Sequence, residues 1–146
     1  MNLKIEAVNY FSQYRRSYEE WTKCVERIKL LREKQMAAGS PNLSGMPKAG
    51  GNIDLSDYVV RLEMQITDCR AKQDKAREEM RKVKEIIEDV YDNTDRAILS
   101  YRYIDFLQFS DIADKLGISK ATVTRRHENA VIRAIQHNND YGRYIE

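Results

Sequence analysis

Basic side chains suited to binding an anionic partner are concentrated near the C-terminus of the chain. Between residues 119 and 137 there is a single acid, Glu128, whereas the full chain of 146 residues has a formal net charge of only +2. The basic residues of this segment are Lys120, Arg125, Arg126 and Arg133. A net charge so close to zero gives no general attraction to polyanions, so the segment must act locally. Guanidinium and ammonium groups form strong charge-assisted hydrogen bonds with phosphates, so this segment is predicted to contact phosphate groups.

A short helix is predicted just before the basic segment. Ser110 is its expected N-cap, and the apolar residues Ile112, Ala113 and Leu116 follow at helical spacings of three and four. Gly117 should end this helix, because glycine readily adopts the left-handed conformation that a helix C-terminus often requires.

A second helix follows almost at once. Ser119 is its predicted N-cap and Lys120 its first residue. Two helices joined by so short a glycine turn must cross steeply, which predicts a helix-turn-helix unit. Ala113 would lie at the closest crossing, where only a small side chain fits. The wedge between the helices would be filled by Leu116, Ile118 and Val123.

One face of the second helix should be buried and the other exposed. With Val123 in the wedge, helical spacing places His127, Ala130 and Ala134 on the same inward stripe. In a helix-turn-helix, the first turns of the second helix enter the major groove of DNA. The outward residues, which are the candidate DNA contacts, are Lys120, Ala121, Thr124, Arg125 and Glu128, with Arg126 and Arg133 beside them.

The outward positions predict different kinds of DNA contact. The forked guanidinium of Arg125 suits the O6 and N7 acceptors of guanine, and Thr124 and Ala121 suit thymine methyl groups. Contacts with phosphates, which set the position of a protein on the duplex, are expected from Lys120, Arg126 and Arg133. An alanine and a glycine four residues apart also occur at ordinary helical corners. The complete pattern over residues 112–125, with a helix before it, favours DNA binding.

The C-terminal third of the chain resembles region 4 of sigma factors over residues 96–99, 101–103, 109–113 and 116–123. The whole chain is similar to phage and prophage transcriptional activators of the RinA/ArpU type, in which such a domain follows a long helical segment. This similarity extends more weakly to residues 44–47. It implies an activator of phage late genes, with host RNA polymerase as a further candidate partner.

The resemblance also implies which residues face the operator. These are Ser119, Lys120, Ala121, Thr122, Thr124 and Arg125, to which the helical pattern adds Arg126, Glu128 and Arg133. Two departures from the family pattern stand out. Residues 105–107 replace the usual Gly-Leu, and residues 129–131 replace the usual Arg-Ala-Leu, which removes one basic phosphate contact. No stretch resembles the promoter-melting domain of a complete sigma factor.

The first two thirds of the chain carry two heptad patterns. Apolar residues at alternating steps of four and three predict one helix over about residues 3–37 and another over about residues 55–90. The first series is Ala7, Phe11, Tyr14, Tyr18, Trp21, Val25 and Ile28, and the second runs from Leu55 through Leu62, Ile66, Cys69, Val83 and Ile87 to Val90. Residues 38–54 hold both prolines and four of the six glycines, so they predict a flexible connector.

The expected fold is therefore all-α. Residues 1–92 should form a long antiparallel coiled-coil hairpin, and residues 93–146 a sigma region-4-like helix-turn-helix domain. In the predicted register the numbers of facing residues sum to 94, which sets Phe11 opposite Val83 and Trp21 opposite Gln73. A hairpin of two helices buries little surface. We therefore expect a homo-oligomer, either a dimer or a tetramer.

Several other classes of protein are not expected. No apolar run is long enough to span a membrane and no signal peptide is visible, which predicts a cytoplasmic protein with no membrane partner. Cys24 and Cys69 predict reduced, structural thiols, and with His127 and His137 they lack the spacing of zinc ligands. No cofactor or metal is expected. Without a nucleophile–base pair or paired carboxylates, an enzyme is not expected either.

Two alternative functions remain open from the sequence. One is a phage DNA-packaging protein resembling a small terminase subunit, which also joins a helix-turn-helix to oligomerising helices, although there the DNA-binding unit usually comes first. The other is a coiled-coil adaptor, which leaves the basic helix unexplained. The loop at residues 44–47 is interpreted as a linker, with a contact to polymerase or DNA as the alternative.

Overall fold

The computed structural model describes residues 2–38 and 55–140. Five α-helices make up this part of the chain: α1 Leu3–Ala38, α2 Leu55–Glu88, α3 Asn93–Tyr103, α4 Phe109–Leu116 and α5 Lys120–Asp140. Within the described ranges there is no β-strand, so the all-helical prediction is confirmed there. Of the connector predicted over residues 38–54, Ala38 instead ends α1, and residues 39–54 lie outside the described residues. Residues 141–146 also lie outside them.

The chain divides into two compact units, each built from parts of both long helices. One unit comprises residues 1–18 and 78–146, and the other comprises residues 19–77. The beginning of α1 and the end of α2 therefore belong to the same unit as α3, α4 and α5. The boundary expected at residues 92 and 93 stays a prediction.

The larger core of the first unit surrounds the C-terminal half of α5. It combines buried side chains from four helices, so that α5 packs against the ends of both long helices and against α3. These side chains are Ala7, Phe11, Val83, Ile86, Ile87, Leu99, Tyr103, Ala130, Val131, Ala134 and Ile135. The inward positions predicted for α5 at His127, Ala130 and Ala134 are all buried, as the helical spacing requires.

A smaller core lies where α3, α4 and α5 meet. Ile98, Ile112, Ala113 and Val123 are buried in it. Half-buried apolar residues, which include Leu116 and Ile118, pack around them. The packing predicted between α4 and α5 is therefore confirmed, and Ala113 is buried within it.

The second unit is built from the middle of α1 and the beginning of α2. Its core consists of Leu31, Leu62 and Ile66. Polar side chains connect the two helices beside this core. Glu63 accepts hydrogen bonds from Arg32 at 2.8 Å and from Gln35 at 2.9 Å.

The heptad series predicted for α1 is wrong at two positions. Tyr18 and Val25 are 41% and 39% exposed, whereas the preceding residues Ser17 and Cys24 are buried. A straight α-helix has 3.6 residues per turn, so a strict repeat of seven drifts around its surface unless the helices supercoil. The Ser17 hydroxyl also donates a hydrogen bond to Glu79 on α2, at 2.7 Å, which suits a buried polar position.

We predict that Phe11→Ala lowers the free energy of unfolding by about 3–5 kcal/mol, because it leaves a cavity in the larger core. Val25→Ala is the matched control and should cost less than about 1 kcal/mol, since that side chain is already partly in water. Urea denaturation followed by circular dichroism measures both. Equal losses for the two variants would contradict this assignment of the core.

Candidate nucleic-acid interface

The turn between α4 and α5 has the geometry that its glycine predicts. Gly117 caps α4 in the left-handed conformation, with φ 66° and ψ 33°, and its N–H donates to the carbonyl of Ala113. A methyl group added at this glycine would meet no atom within 4 Å. The requirement for glycine is therefore conformational rather than steric, because an L-residue is strained at this φ.

The two caps of the unit differ in how well the sequence predicted them. Ser119 caps α5 as predicted, since its Oγ accepts a hydrogen bond from the Thr122 N–H at 3.1 Å. The N-cap predicted at Ser110 is wrong, because the N-cap is Gln108, two residues earlier, and α4 begins at Phe109. The Phe109 ring packs against the ring of His127, with centroids 4.8 Å apart, so tertiary packing accounts for the position of Phe109 in the helix.

A buried polar contact holds the middle of α5. The Tyr103 hydroxyl on α3 forms a 2.6 Å hydrogen bond with Nε2 of His127. Burial lowers the pKa of His127 to about 4, and the positive charges of Arg102 and Lys4 act in the same direction. The imidazole is therefore neutral near pH 7. Burial also raises the pKa of Tyr103.

One predicted phosphate contact, Arg126, has partners within the protein. Its guanidinium lies 3.2 Å from the buried Asp95 and 3.4 Å from Asp92, both in the first turn or cap of α3. Asp92 caps α3 by accepting a hydrogen bond from the Asp95 N–H at 2.9 Å. That backbone contact and then Arg126 hold the pKa of Asp92 below its ordinary value. Arg126 thus connects α5 to the start of α3.

A second predicted contact, Glu128, also has a partner within the protein. Its carboxylate lies 3.4 Å from the ammonium group of Lys4 on α1, and both side chains are partly exposed. Sequence reasoning missed Lys4, Asp92 and Asp95 as partners of the basic helix. Aspartate favours helix N-cap positions, so Asp92 carried a local signal, but nothing in the sequence connects Lys4 with Glu128.

The remaining predicted residues occupy the outer surface at the start of α5. Lys120, Ala121, Thr124 and Arg125 are exposed, and so are Ser119 and the more distant Arg133, while Thr122 is half-buried. The Thr124 hydroxyl donates to the Lys120 carbonyl at 3.0 Å and is satisfied within the helix. The structure therefore brings Lys120, Ala121, Thr124 and Arg125 together on one exposed surface.

The loop between α3 and α4 contains an unusual backbone conformation. Phe106 has φ 61°, a left-handed value that glycine adopts far more easily than a bulky residue. Its ring packs against Tyr14 and Tyr18 of α1, with centroids 6.2 and 5.6 Å away, and the Arg15 guanidinium lies 5.2 Å from it. These contacts offset the strain and attach the loop to α1. This is where the sequence departs from the Gly-Leu pattern.

Two further cations, on α3 and α4, make contacts that were not predicted. Arg102 donates a hydrogen bond to the Leu107 carbonyl at 3.1 Å and stacks over Phe109, 4.5 Å from the ring centroid. Lys115 on α4 lies 5.8 Å from the centroid of the Tyr101 ring.

Among residues 2–38 and 55–140, no helix is both long and apolar enough to cross a membrane.

Together these features define an all-helical protein with a two-helix turn that leaves a basic helix face exposed. Residues 38–135 match the model of a family described as "Protein of unknown function (DUF1492)", and the chain belongs to that family. The searches of curated proteins and of solved structures gave no match.

We predict that Arg126→Ala lowers the free energy of unfolding by about 1–3 kcal/mol, because the buried Asp95 carboxylate loses its cation. Arg125→Ala, on the exposed side, is the matched control and should change stability by about 0.5 kcal/mol or less. Thermal denaturation of both variants measures the difference. Equal stability of the two variants would show that the ion pair contributes nothing.

The shifted pKa of His127 predicts how stability depends on pH. The unfolded chain binds a proton at this residue below about pH 6.5, whereas the folded chain does so only below about 4. The free energy of unfolding should therefore fall as the pH drops from 6.5 to 4. In His127→Gln this fall should be smaller than in the wild type. Urea titrations across that pH range measure it, and an unchanged slope in His127→Gln would contradict the assignment.

Proposed function

We propose that this protein is a sequence-specific regulator of transcription that binds double-stranded DNA through α4 and α5. In this proposal the two helices form a sigma region-4-like helix-turn-helix, and α5 is the recognition helix. By the sequence resemblance, its role is to activate phage late genes. The observation that carries the proposal is the division of the first turns of α5 into a buried side at Val123 and an exposed side at Ala121, Thr124 and Arg125.

The exposed side chains supply the chemistry for base recognition. Arg125 makes no ion pair among the described residues, so its guanidinium is available to the two acceptors on the major-groove edge of guanine. Ala121 and the methyl group of Thr124 suit contacts with thymine methyl groups. Gly117 ends α4 and Ser119 caps α5, so only a tight turn separates the two helices. In helix-turn-helix proteins this arrangement allows the second helix to enter the major groove.

The cations around this surface divide into two proposed roles. Lys120 and Arg133 are exposed, and we assign them to phosphate contacts that set the position of α5 on the duplex. Arg126 is engaged with Asp95 and Asp92, and we now assign it to holding α5 against α3. Glu128 is engaged with Lys4, and its expected role at the DNA is correspondingly smaller.

We also propose that α1 and α2 pair as an antiparallel coiled-coil hairpin. Within residues 19–77, Arg27 contacts Gln65 at 3.3 Å, Arg32 contacts Glu63 at 2.8 Å, and Gln35 contacts the Val59 carbonyl at 3.4 Å. The residue numbers rise along α1 as they fall along α2, which is the order that antiparallel pairing requires.

We predict that Arg125→Ala weakens binding to the specific DNA site by about 1–3 kcal/mol and relaxes the preference at one base pair. The reason is that a forked contact with one guanine is lost, while phosphate contacts are retained. Selection of binding sites from a random duplex library, followed by titration of the selected site by fluorescence anisotropy, measures both effects.

Arg133→Ala is the matched control for this experiment. It should weaken binding to all DNA sequences alike and reduce the slope of log K against log salt concentration by about one, as expected for one lost phosphate contact. A full-length protein that shows no sequence preference for duplex DNA at low salt would overturn the proposed function. Unchanged affinity and specificity in Arg125→Ala would overturn the assignment of that residue alone.

A further inference from the structure

The second unit leaves much of its apolar surface in water. Among its described residues, the core cluster consists of Leu31, Leu62 and Ile66, and the smaller residues Cys24, Ala38 and Ala76 are also buried. Several large apolar side chains in the same unit are at least 39% exposed, namely Val25, Leu30, Met36, Leu55, Val60 and Met64. Exposed apolar side chains that line up along one helix face are typical of a surface that binds another protein.

On α2 a row of four exposed residues, three of them apolar, follows a regular pattern. Val60, Met64, Thr67 and Ala71 are all exposed and are spaced by four, three and four residues. At about 100° per residue, Val60 and Met64 each lie about 200° around the helix from the buried Leu62, so they belong to the opposite side. We call these four residues the outer face of α2. Their spacing is that of a second heptad seam.

We propose that the outer face of α2 binds the outer face of α2 in a second copy of this chain, in antiparallel orientation. The pairing has twofold symmetry about a point between Gln65 and Ile66, so that the numbers of facing residues sum to 131. Val60 then faces Ala71 of the other copy, and Met64 faces Thr67. Each larger side chain meets a smaller one, as close packing requires.

Charges on both flanks of the outer face complement one another in this register. In an antiparallel pair, residues on one flank of a helix meet the same flank of its partner. Arg61 therefore lies beside Asp68 of the other copy, and Glu63 beside Arg70. Twofold symmetry repeats each pair, which gives four attractive contacts. Arg61, Asp68 and Arg70 are exposed, and the Glu63 side chain is 47% exposed although it also contacts Arg32.

The same charges disfavour parallel pairing. In a parallel coiled coil, the residue just before a seam position, such as Glu63 before Met64, lies beside the partner residue whose number is five higher. Glu63 would then face Asp68 of the other copy, and Arg70 would face Lys75. Both contacts are between like charges. The flanking charges thus specify orientation and register, which is the usual role of such positions in coiled coils.

The seam is short, which determines how strongly the two copies should associate. It ends at Asp57 and Asp74, which the same register brings together as like charges. The twelve residues from Val60 to Ala71 extend about 18 Å at 1.5 Å per residue. We therefore expect a reversible association that weakens as salt screens the flanking charges.

Exchange of the flanking charges tests the register directly. In Arg61→Asp both symmetric pairs become acid against acid, and in Asp68→Arg both become base against base. Each variant alone should bind itself at least about tenfold more weakly than the wild type. An equimolar mixture of the two should form a heterodimer, because every pair is then again an acid against a base. Sedimentation velocity over a concentration series, together with native mass spectrometry of the mixture, measures this on the full-length chain.

Substitutions on the seam itself provide an independent test. Met64→Glu should abolish association, whereas Met36→Glu, at a methionine on α1 that is 77% exposed, should leave it unchanged. Circular dichroism should show the same helix content in all variants, since every substituted side chain is exposed. A wild-type chain that stays monomeric, a mixture that forms no heterodimer, or normal association of Met64→Glu would each overturn the proposed interface. None of these outcomes bears on DNA binding by a single chain.

Discussion

The burial of one face of α5 is the constraint on which the C-terminal unit depends. Val123 is held in the small core with α3 and α4, while Ala130, Val131, Ala134 and Ile135 are held in the larger core with the ends of α1 and α2. A helix anchored at two points along one face cannot rotate about its axis without exposing apolar surface from both cores. The side chains on the opposite face are therefore presented to solvent in a fixed order.

Polar contacts refine the orientation that this packing sets. The hydrogen bond between Tyr103 and His127 lies inside the unit and is satisfied by a neutral imidazole. The ion pair between Arg126 and Asp95 lies at its edge. Both connect α5 to α3. Two neighbouring arginines therefore have different environments, since Arg126 is committed to an internal carboxylate while Arg125 remains in solvent.

The loop before α4 shows how a local strain is compensated by packing. A left-handed backbone at Phe106 is unfavourable for a bulky residue, yet its ring fills a site formed by Tyr14 and Tyr18. Glycine at this position would relieve the strain but would provide no such contact. The aromatic contact consequently fastens the loop to α1, and the start of α4 is held through it.

The sequence alone determined the helices, the glycine turn and the inward stripe of α5, because spacing and capping are local properties of the chain. It also indicated which residues at the start of α5 are exposed. It did not determine the start of α4 or the course of the α1 seam at Ser17 and Cys24, where contacts with distant residues outweigh local preference. The sequence assigned Arg125 to a base and Arg126 to a phosphate, but only the tertiary structure showed that Arg126 pairs within the protein. Its partner is an aspartate about thirty residues away in the chain, which folding brings beside it.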